Sequence, residues 1–471
     1  MHIGSMRTAL FAYLYAKQNH GTFILRIEDT DKSREVTTAT QHIIDSLHWL
    51  GIEWEYGPDK PGPFGSCVQS ERLPIYRQYA EKLIAAGYAY PDPYSAEELQ
   101  KFRADAEARN KPFLYRSVRP ENITEAWDGQ TPLRLKVPEI KRYQWQDAVR
   151  GTLQAGPEML DDIILIKEDG FPTYNFAHIV DDHDMGVTHI MRGDEFISST
   201  PKFLSIYDAL GIDYPVFVTL PPIMRPDRTK KLGKRDGAKD ILEYRNDGIL
   251  PEAMMNFLAL IGWNPGEDRE LMTETELCHY FRLEKIQKGG GVFNEEKLLW
   301  MNKQYIQKLS TDDFFTYAVT ALSGSLAAQV TDNPEPFRRL LPAIQERTHS
   351  YQDIQKAAAA GEYDFLYTTP AYDVELLRWK QDSDATDSLP RLEALHDLLT
   401  DADEFTSAET VKELVWSYAE ETGKGQVLWP FRVSVTGRER SPDPFISAYA
   451  LGKAETVTRL STAINTLKAS E

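Results

Sequence analysis

The run Thr8–Ala16 is mostly apolar and predicts an amphipathic helix from Met6 to about Asn19, capped by Ser5 and broken by Gly21. The periodicity then changes. Thr22-Phe-Ile-Leu-Arg-Ile27 reads as a buried strand, and a further helical pattern comes after it. Alternation of this kind predicts a parallel sheet with helices on its faces. Ligands in such folds sit at the carboxyl ends of the strands, so the acidic cluster Glu28-Asp29-Thr30-Asp31 falls where chemistry is expected.

From about Tyr94 to Gly170 the texture shifts to a charged helical run, Ser95–Arg109, then prolines and short strand-like pieces such as Leu133–Val137. This predicts an insertion into the first fold. The α/β pattern resumes at Ile163–Lys167 and continues through Pro172–Gly211, where Ser199-Thr200-Pro201 marks a helix start. Pro251 opens another helix, with Met254, Phe257, Leu258 and Ile261 on one face and Gly262 as its stop. Beyond Leu309 amphipathic helical patterns dominate. The expected boundaries are therefore 1–93 and 172–229 for the two parts of an α/β domain, 94–171 for the insertion, 230–309 for a connecting helical region and 310–471 for a helical domain.

A chain of 471 residues implies roughly two to four domains. Its hydrophobic fraction of 42% suits packed cores. No stretch approaches the roughly 18 uninterrupted apolar residues of a membrane span. Arg7 before an apolar run resembles the start of a signal peptide, but the two tyrosines in that run and the absence of a small-residue cleavage site favour a helix of the fold. The two cysteines, Cys67 and Cys278, give neither a disulfide framework nor a zinc cluster, which points to a reducing cytoplasm. The net charge of −19 argues against nucleic acid only as an average, because a local basic face still suffices to bind it.

Three segments could carry chemistry. His2-Ile3-Gly4-Ser5 precedes a helix, whose N-terminal amides and a glycine suit a nucleotide phosphate, although an ordinary chain start reads the same way. Lys230-Lys231-Leu232-Gly233-Lys234-Arg235, preceded by Arg225 and Arg228, is either a solvated basic loop or a set of cations that closes over a triphosphate. The third segment holds Tyr174, His178, Asp181, Asp182, His183, Arg192 and Glu195. Its spacing fits no zinc pattern, so no metal ligand set is assigned. A tyrosine hydroxyl and an arginine instead suit the carboxylate of an amino acid.

Taken in order, these segments resemble the class I aminoacyl-tRNA synthetases, and within them the bacterial glutamyl enzymes. His2–Ser5 is similar to the family's first signature and Lys231-Leu-Gly-Lys-Arg235 to its second. Between them lie Arg26-Ile-Glu-Asp-Thr-Asp31, Gln69-Ser-Glu-Arg72, Pro172-Thr-Tyr-Asn-Phe-Ala177 and Val180-Asp-Asp182. Gly262-Trp263, Phe293–Trp300 with Asn302, and Trp429–Gly437 come after them, so the likeness covers essentially the whole chain.

The resemblance implies a Rossmann-like catalytic domain with an inserted α/β domain for the tRNA acceptor end and an all-α anticodon-binding region. It implies that ATP, with Mg²⁺, is held by His2, Gly4, Lys231, Lys234 and Arg235, of which His2, Gly4, Lys231 and Lys234 are the catalytic set. Glu28 would take the ammonium of L-glutamate, Tyr174 and Arg192 its carboxylates, and His178 would lie near its side chain. Arg347, Trp429, Arg432 and Arg438 are the anticodon-binding candidates, although a tryptophan in a helical domain is more often core. The acceptor is tRNA(Glu), with tRNA(Gln) an open second, and a monomer is expected.

Three departures accompany the resemblance. The family normally has another strand and loop before the His-x-Gly motif, supplying an arginine and a serine to the amino acid, and here His2 follows Met1. Gly233 stands where serine is usual. Pro91-Asp-Pro93 stands where some relatives carry zinc-binding cysteines, so no structural zinc is expected. The alternative reading is a tRNA-binding paralogue impaired in catalysis.

Overall fold

The computed structural model describes residues 1–31, 38–122, 126–233, 239–266 and 268–470. Contacts divide the chain into two units, Met1–Glu243 with Met254–Asn294, and Tyr244–Ala253 with Glu295–Glu471. In the first, helix α1 (Ile3–Gln18) begins before the Met6 start expected from the sequence. The cap is His2 rather than Ser5. Its Nδ1 accepts from the amides of Gly4 at 3.0 Å and Ser5 at 3.3 Å, so the imidazole satisfies donors that the first turn leaves open. At the other end His20 takes a left-handed φ of 53°, and the Gly21 amide bonds the Ala16 carbonyl at 2.8 Å.

Thr22–Ile27 is extended but forms no continuous ladder. It meets its neighbour at two parallel bridges, Ile24 with Tyr56 and Ile27 with Val68. Between those points the neighbouring chain folds away into tight turns, Gly57 with Lys60 and Gly62 with Gly65. Helices α2 (Ala39–Trp49) and α3 (Leu73–Ala85) flank this region, and α4 (Ala96–Ala108) starts at Ser95 with a reciprocal capping box to Glu98.

Strands β1 (Ala89–Pro91) and β2 (Leu133–Leu135) pair antiparallel, β3 (Tyr143–Asp147) and β4 (Gly151–Ala155) form a hairpin, and β5 (Ile164–Ile166) returns to β2. After α5 (Tyr174–Asp184) come β6 (His189–Gly193), α6 (Thr200–Leu210) and β7 (Val216–Leu220), with β6 and β7 parallel. The predicted hydroxyl cap of α6 is not used. A 3₁₀ turn, Asp194–Ser199, leads straight into the helix, and Thr200 Oγ1 donates back to the Phe196 carbonyl at 3.0 Å.

The hairpin does not stand apart from the parallel strands. β3 joins β7, giving the order β4-β3-β7-β6. Buried Asp147 fastens the join, accepting from the Thr219 amide and hydroxyl and from the amides of Val149 and Arg150. Leu135, Trp145 and Leu165 accordingly share one core with Tyr76, Phe176, Phe203 and Phe217. On its other side β6 borders a groove of about 1030 Å³ lined by Tyr15, Phe23, Ile24, Met185 and Met191 among others. A short parallel pair, β8 (Ile223–Met224) and β9 (Gly291–Val292), continues from the end of β7.

Helices α7 (Ile241–Asn246) and α8 (Pro251–Leu260) come after β8, and α8 buries Met254, Phe257 and Leu258 as the periodicity predicts. The described residues of the second unit are helical, running from Glu295–Ile306 to Lys453–Lys468. They build two cores, one around Phe314, Phe337, Leu341 and Tyr363, the other around Leu392, Val415, Phe431 and Leu460. Buried Asn302 braces this unit, donating to the carbonyls of Gly248 and His349 and accepting from the Leu250 amide.

Candidate active site

The first turn of α1, the ends of β6 and β7, and the segment after β8 border one cleft of about 320 Å³. Its walls include His2, Gly4, Glu195, Lys231 and Gly233. Because His2 Nδ1 accepts two amide hydrogens, the ring proton is assigned to Nε2, where the imidazole is a donor. Lys231 is delivered by a short hairpin, with Met224 bridging Lys231 and the Leu232 amide bonding the Ile223 carbonyl at 2.8 Å. Its Nζ lies 3.0 Å from Glu195 Oε2, a pair in which both side chains are more than half exposed. Although partial burial acts against it, the Glu195 carboxyl sits below the usual range because backbone and Lys231 hydrogen bonds favour the anion. Lys234 and Arg235 lie outside the described residues.

The same unit holds a cluster of buried charge around α5. Asp181 is fully buried on α5 and accepts from Arg72 Nε at 2.8 Å, Gln69 Nε2 at 2.9 Å and the Tyr76 hydroxyl at 2.8 Å. Arg26 spans the next carboxylates, donating to Asp182 at 2.8 Å and to Glu28 at 3.1 Å. Burial opposes the charge on Arg26, yet Asp182, Glu28 and Asp181 together raise its pKa. Asp182 in turn faces His178 Nδ1 at 3.4 Å. Thus the carboxylate expected to take an ammonium, Glu28, is aimed by an arginine whose own position depends on α5.

Arg192, at the end of β6, has its guanidinium over the rings of Phe196, Phe203 and Phe217 at 5.0–5.5 Å. All three of its guanidinium nitrogens are buried without a hydrogen-bond partner. Burial lowers its pKa, against Tyr174 and Asp182, which favour the cation. His178 Nε2 and the Tyr207 hydroxyl are likewise buried and unpartnered. Tyr174 tilts over His178 at 4.8 Å, and burial together with Glu28 pushes its hydroxyl up to about 12. Unsatisfied buried donors are rare in folded proteins, and several in one cluster mark a place built for a polar ligand.

The sequence alone nominates Tyr174, His178 and Arg192, but it misses Tyr207 and gives Arg26 and Asp181 no role. Tyr207 offers no signal in a helix pattern. Arg26 breaks an apolar strand, and that is the clue the sequence holds.

At the position where some relatives carry zinc-binding cysteines, Asp92 is buried and accepts from Arg134 Nε at 2.6 Å and from the Tyr115 hydroxyl, while Arg134 lies 3.4 Å over the Tyr115 ring. In the second unit, Trp429 packs against the core and donates its indole N–H to the Leu376 carbonyl at 2.9 Å. Arg347 pairs with Glu362 at 3.1 Å, and Gly361, at a φ of 68°, allows Arg438 to approach so closely that a Cβ there would stand 2.6 Å from Nη2. Arg347 and Arg438 therefore flank one turn. Arg432 has a buried, unpartnered Nε.

A cleft at the carboxyl edge of parallel strands, floored by a helix N-terminus and overhung by a lysine hairpin, defines a nucleotide-handling α/β catalytic domain. Residues 1–300 match the family described as tRNA synthetases class I (E and Q), catalytic domain, and residues 310–464 match an anticodon binding domain. The chain is 39% identical over 468 residues to a glutamate--tRNA ligase of Dehalococcoides mccartyi, covering 98% of this chain and 94% of the relative. It is 39% identical over 484 residues to a glutamate--tRNA ligase of Clostridium botulinum, covering 100% and 96%. The crystal structure of a glutamate tRNA ligase from Elizabethkingia meningosepticum in complex with its amino acid superposes with a TM-score of 0.85 at 32% identity, covering 99% of this chain and 97% of that one. The chain belongs to the glutamyl-tRNA synthetase family of class I aminoacyl-tRNA synthetases.

Proposed function

We propose that this chain activates L-glutamate with ATP and transfers it to the 3′-terminal ribose of tRNA(Glu). The observation that carries the proposal is the shared cleft: His2 and Gly4 line it together with Lys231 and Gly233, and so does Gly193, which follows the unpartnered Arg192 in the chain. In the first step the α-carboxylate of glutamate attacks the α-phosphorus of ATP, and pyrophosphate leaves. In the second a ribose hydroxyl attacks the acyl carbon, and AMP leaves.

Neither step needs a nucleophilic side chain, so positioning and charge stabilisation carry the rate. His2 Nε2–H, 3.1 Å from Ser5 Oγ in the unliganded chain, and the positive end of α1 face the phosphates. Lys231 joins them once it leaves Glu195, an exposed pair worth only about 0.2–1 kcal/mol, which a triphosphate outcompetes. Lys234 and Arg235 belong to the same loop by resemblance. Glu28 takes the ammonium, Arg192 and Tyr174 the carboxylates, and His178 lies at the side-chain end. Magnesium enters with ATP as part of the substrate, and Asp194 and Glu195 at the cleft are oxygen donors of the kind it accepts.

Residues 94–171 would receive the acceptor end and 310–471 the anticodon, with Arg347, Arg432 and Arg438 as its readers and Trp429 as their support. Splayed anticodon bases suit arginine at their edges. The protein is expected to be a cytoplasmic monomer. Charging total tRNA with labelled glutamate or glutamine tests the reading: glutamate-specific, ATP-dependent acylation supports it, and tRNA binding without acylation favours the impaired paralogue. Fractionating the charged tRNA shows whether tRNA(Gln) is a second acceptor.

A further inference from the structure

Arg7 lies beneath the nucleotide cleft, outside the set of residues that take ATP or glutamate in the two steps above. It is 3% exposed, one turn below His2 and Gly4 on α1, and it lines the same cleft. Among the described residues no carboxylate hydrogen-bonds its guanidinium. Nη2 donates to the carbonyl of Pro221, Nη1 to that of Ile261 at 3.3 Å, and Nε is buried without a partner.

Those two carbonyls stand at the roots of the hairpin and of the α8 turn. Pro221 is the first residue after β7, and β8, which carries the lysine hairpin, starts at Ile223. Ile261 ends the α8 turn, where Gly262 has a φ of 86° and would place a Cβ within 3.5 Å of Arg7 Nη1 and of the Pro221 ring, and within 3.9 Å of Gly291. Gly291 in turn pairs with Ile223 through β9 and would collide with the Gly262 backbone if it had a side chain. Arg7, Pro221, Gly262 and Gly291 thus form one knot, packed to backbone contact, under the cleft.

We infer that Arg7 is a positioning residue for ATP, fixing the first-turn cradle of α1 against the base of the lysine hairpin and adding to the cleft floor a positive charge that Asp194 offsets only from a distance. Burial lowers its pKa to about 10, with Asp194 opposing, so it remains a cation at neutral pH. The same knot gives Gly290 and Gly291 a purpose: a side chain at Gly290 would collide with Met224 at the start of the lysine hairpin, and one at Gly291 with the Gly262 backbone.

The inference rests on the proposed function, and the test keeps the two apart. Direct ATP binding and tRNA charging are measured for the unmodified chain, R7Q and R7K, with thermal melts to establish folding. R7Q is expected to weaken ATP about tenfold, and R7K, which keeps the charge and one donor, about threefold, while KM for glutamate stays within about twofold. Should R7Q fail to fold, R7K decides alone. ATP affinity within about twofold in the folded variants, or a parallel rise in KM for glutamate, overturns the inference. If the unmodified chain charges no tRNA, the function reading falls, and the ATP binding constants still judge Arg7.

Discussion

Replacing Arg192 by methionine separates what the buried guanidinium does for the substrate from what it costs the fold. Its three nitrogens are buried without partners, and each unsatisfied buried donor costs about 1–3 kcal/mol. Contacts with three phenylalanine faces return about 0.5–2 kcal/mol each. Methionine matches the length, keeps the aromatic contacts as sulfur–ring packing and removes the unpaired charge. The unliganded R192M chain is therefore expected to be as stable as the unmodified chain or about 1–2 kcal/mol more so, a rise of roughly 2–8 °C in melting temperature. Binding moves the other way. Two charge-assisted hydrogen bonds to a carboxylate contribute about 1.5–3 kcal/mol each, so kcat/KM for glutamate should fall on the order of 10²–10⁴-fold. Scanning fluorimetry with and without glutamate, alongside tRNA charging, reads both effects. A variant that melts well below the unmodified chain and is still stabilised by glutamate would refute the assignment of Arg192 as the carboxylate clamp.

The other buried contacts give further expected outcomes. D181N leaves Arg72, Gln69 and Tyr76 around a weakened acceptor, and urea denaturation should show a loss of about 3–5 kcal/mol. Asp182 is held below the usual carboxylate range by Arg26 and His178 despite the opposing effect of its burial. Its folded pKa is thus depressed, so its stabilisation is complete above the unfolded value of about 3.9 and is lost as pH falls through the folded one. Denaturation midpoints between about pH 5 and 2 should decline less steeply in D182N. S95A removes the hydroxyl that caps α4 and should cost about 1 kcal/mol in the same assay. G361A drives a Cβ toward Arg438 at a φ of 68°; filter binding should show weaker tRNA while the KM for ATP is unchanged, and unaltered tRNA affinity would remove Arg438 from the reader set.

How much of the fold and site is legible in the sequence depends on how local each feature is. The charged helical run Ser95–Arg109 and the buried face of α8 rest on residues within a few positions of one another, and the structure reproduces both, adding a capping box at Ser95 beyond what the sequence analysis predicts. The α1 start falls elsewhere than expected because no propensity rule offers a histidine as a cap, although His2 fills the role by reaching only to Gly4 and Ser5. Thr22–Ile27 reads as a strand from its apolar run, but a ladder needs a partner, and the partner's turns at Gly57 and Gly62 break it. The site divides in the same way. His2, Lys231 and Arg192 carry their chemistry in their side chains and could be nominated one at a time. Asp181 and Arg7 act only through residues more than a hundred positions away, such as Gln69 for Asp181 and Pro221 for Arg7, and no window of sequence contains both partners.

The proposed catalysis requires two distant segments to meet over a single nucleotide, and ATP titration read by amide hydrogen exchange and lysine modification addresses that directly. Slowed exchange at Gly4–Ser5 and protection of Lys231 should rise along one saturation curve with a stoichiometry of one ATP. Protection of only one segment, or two curves with different midpoints, would contradict it.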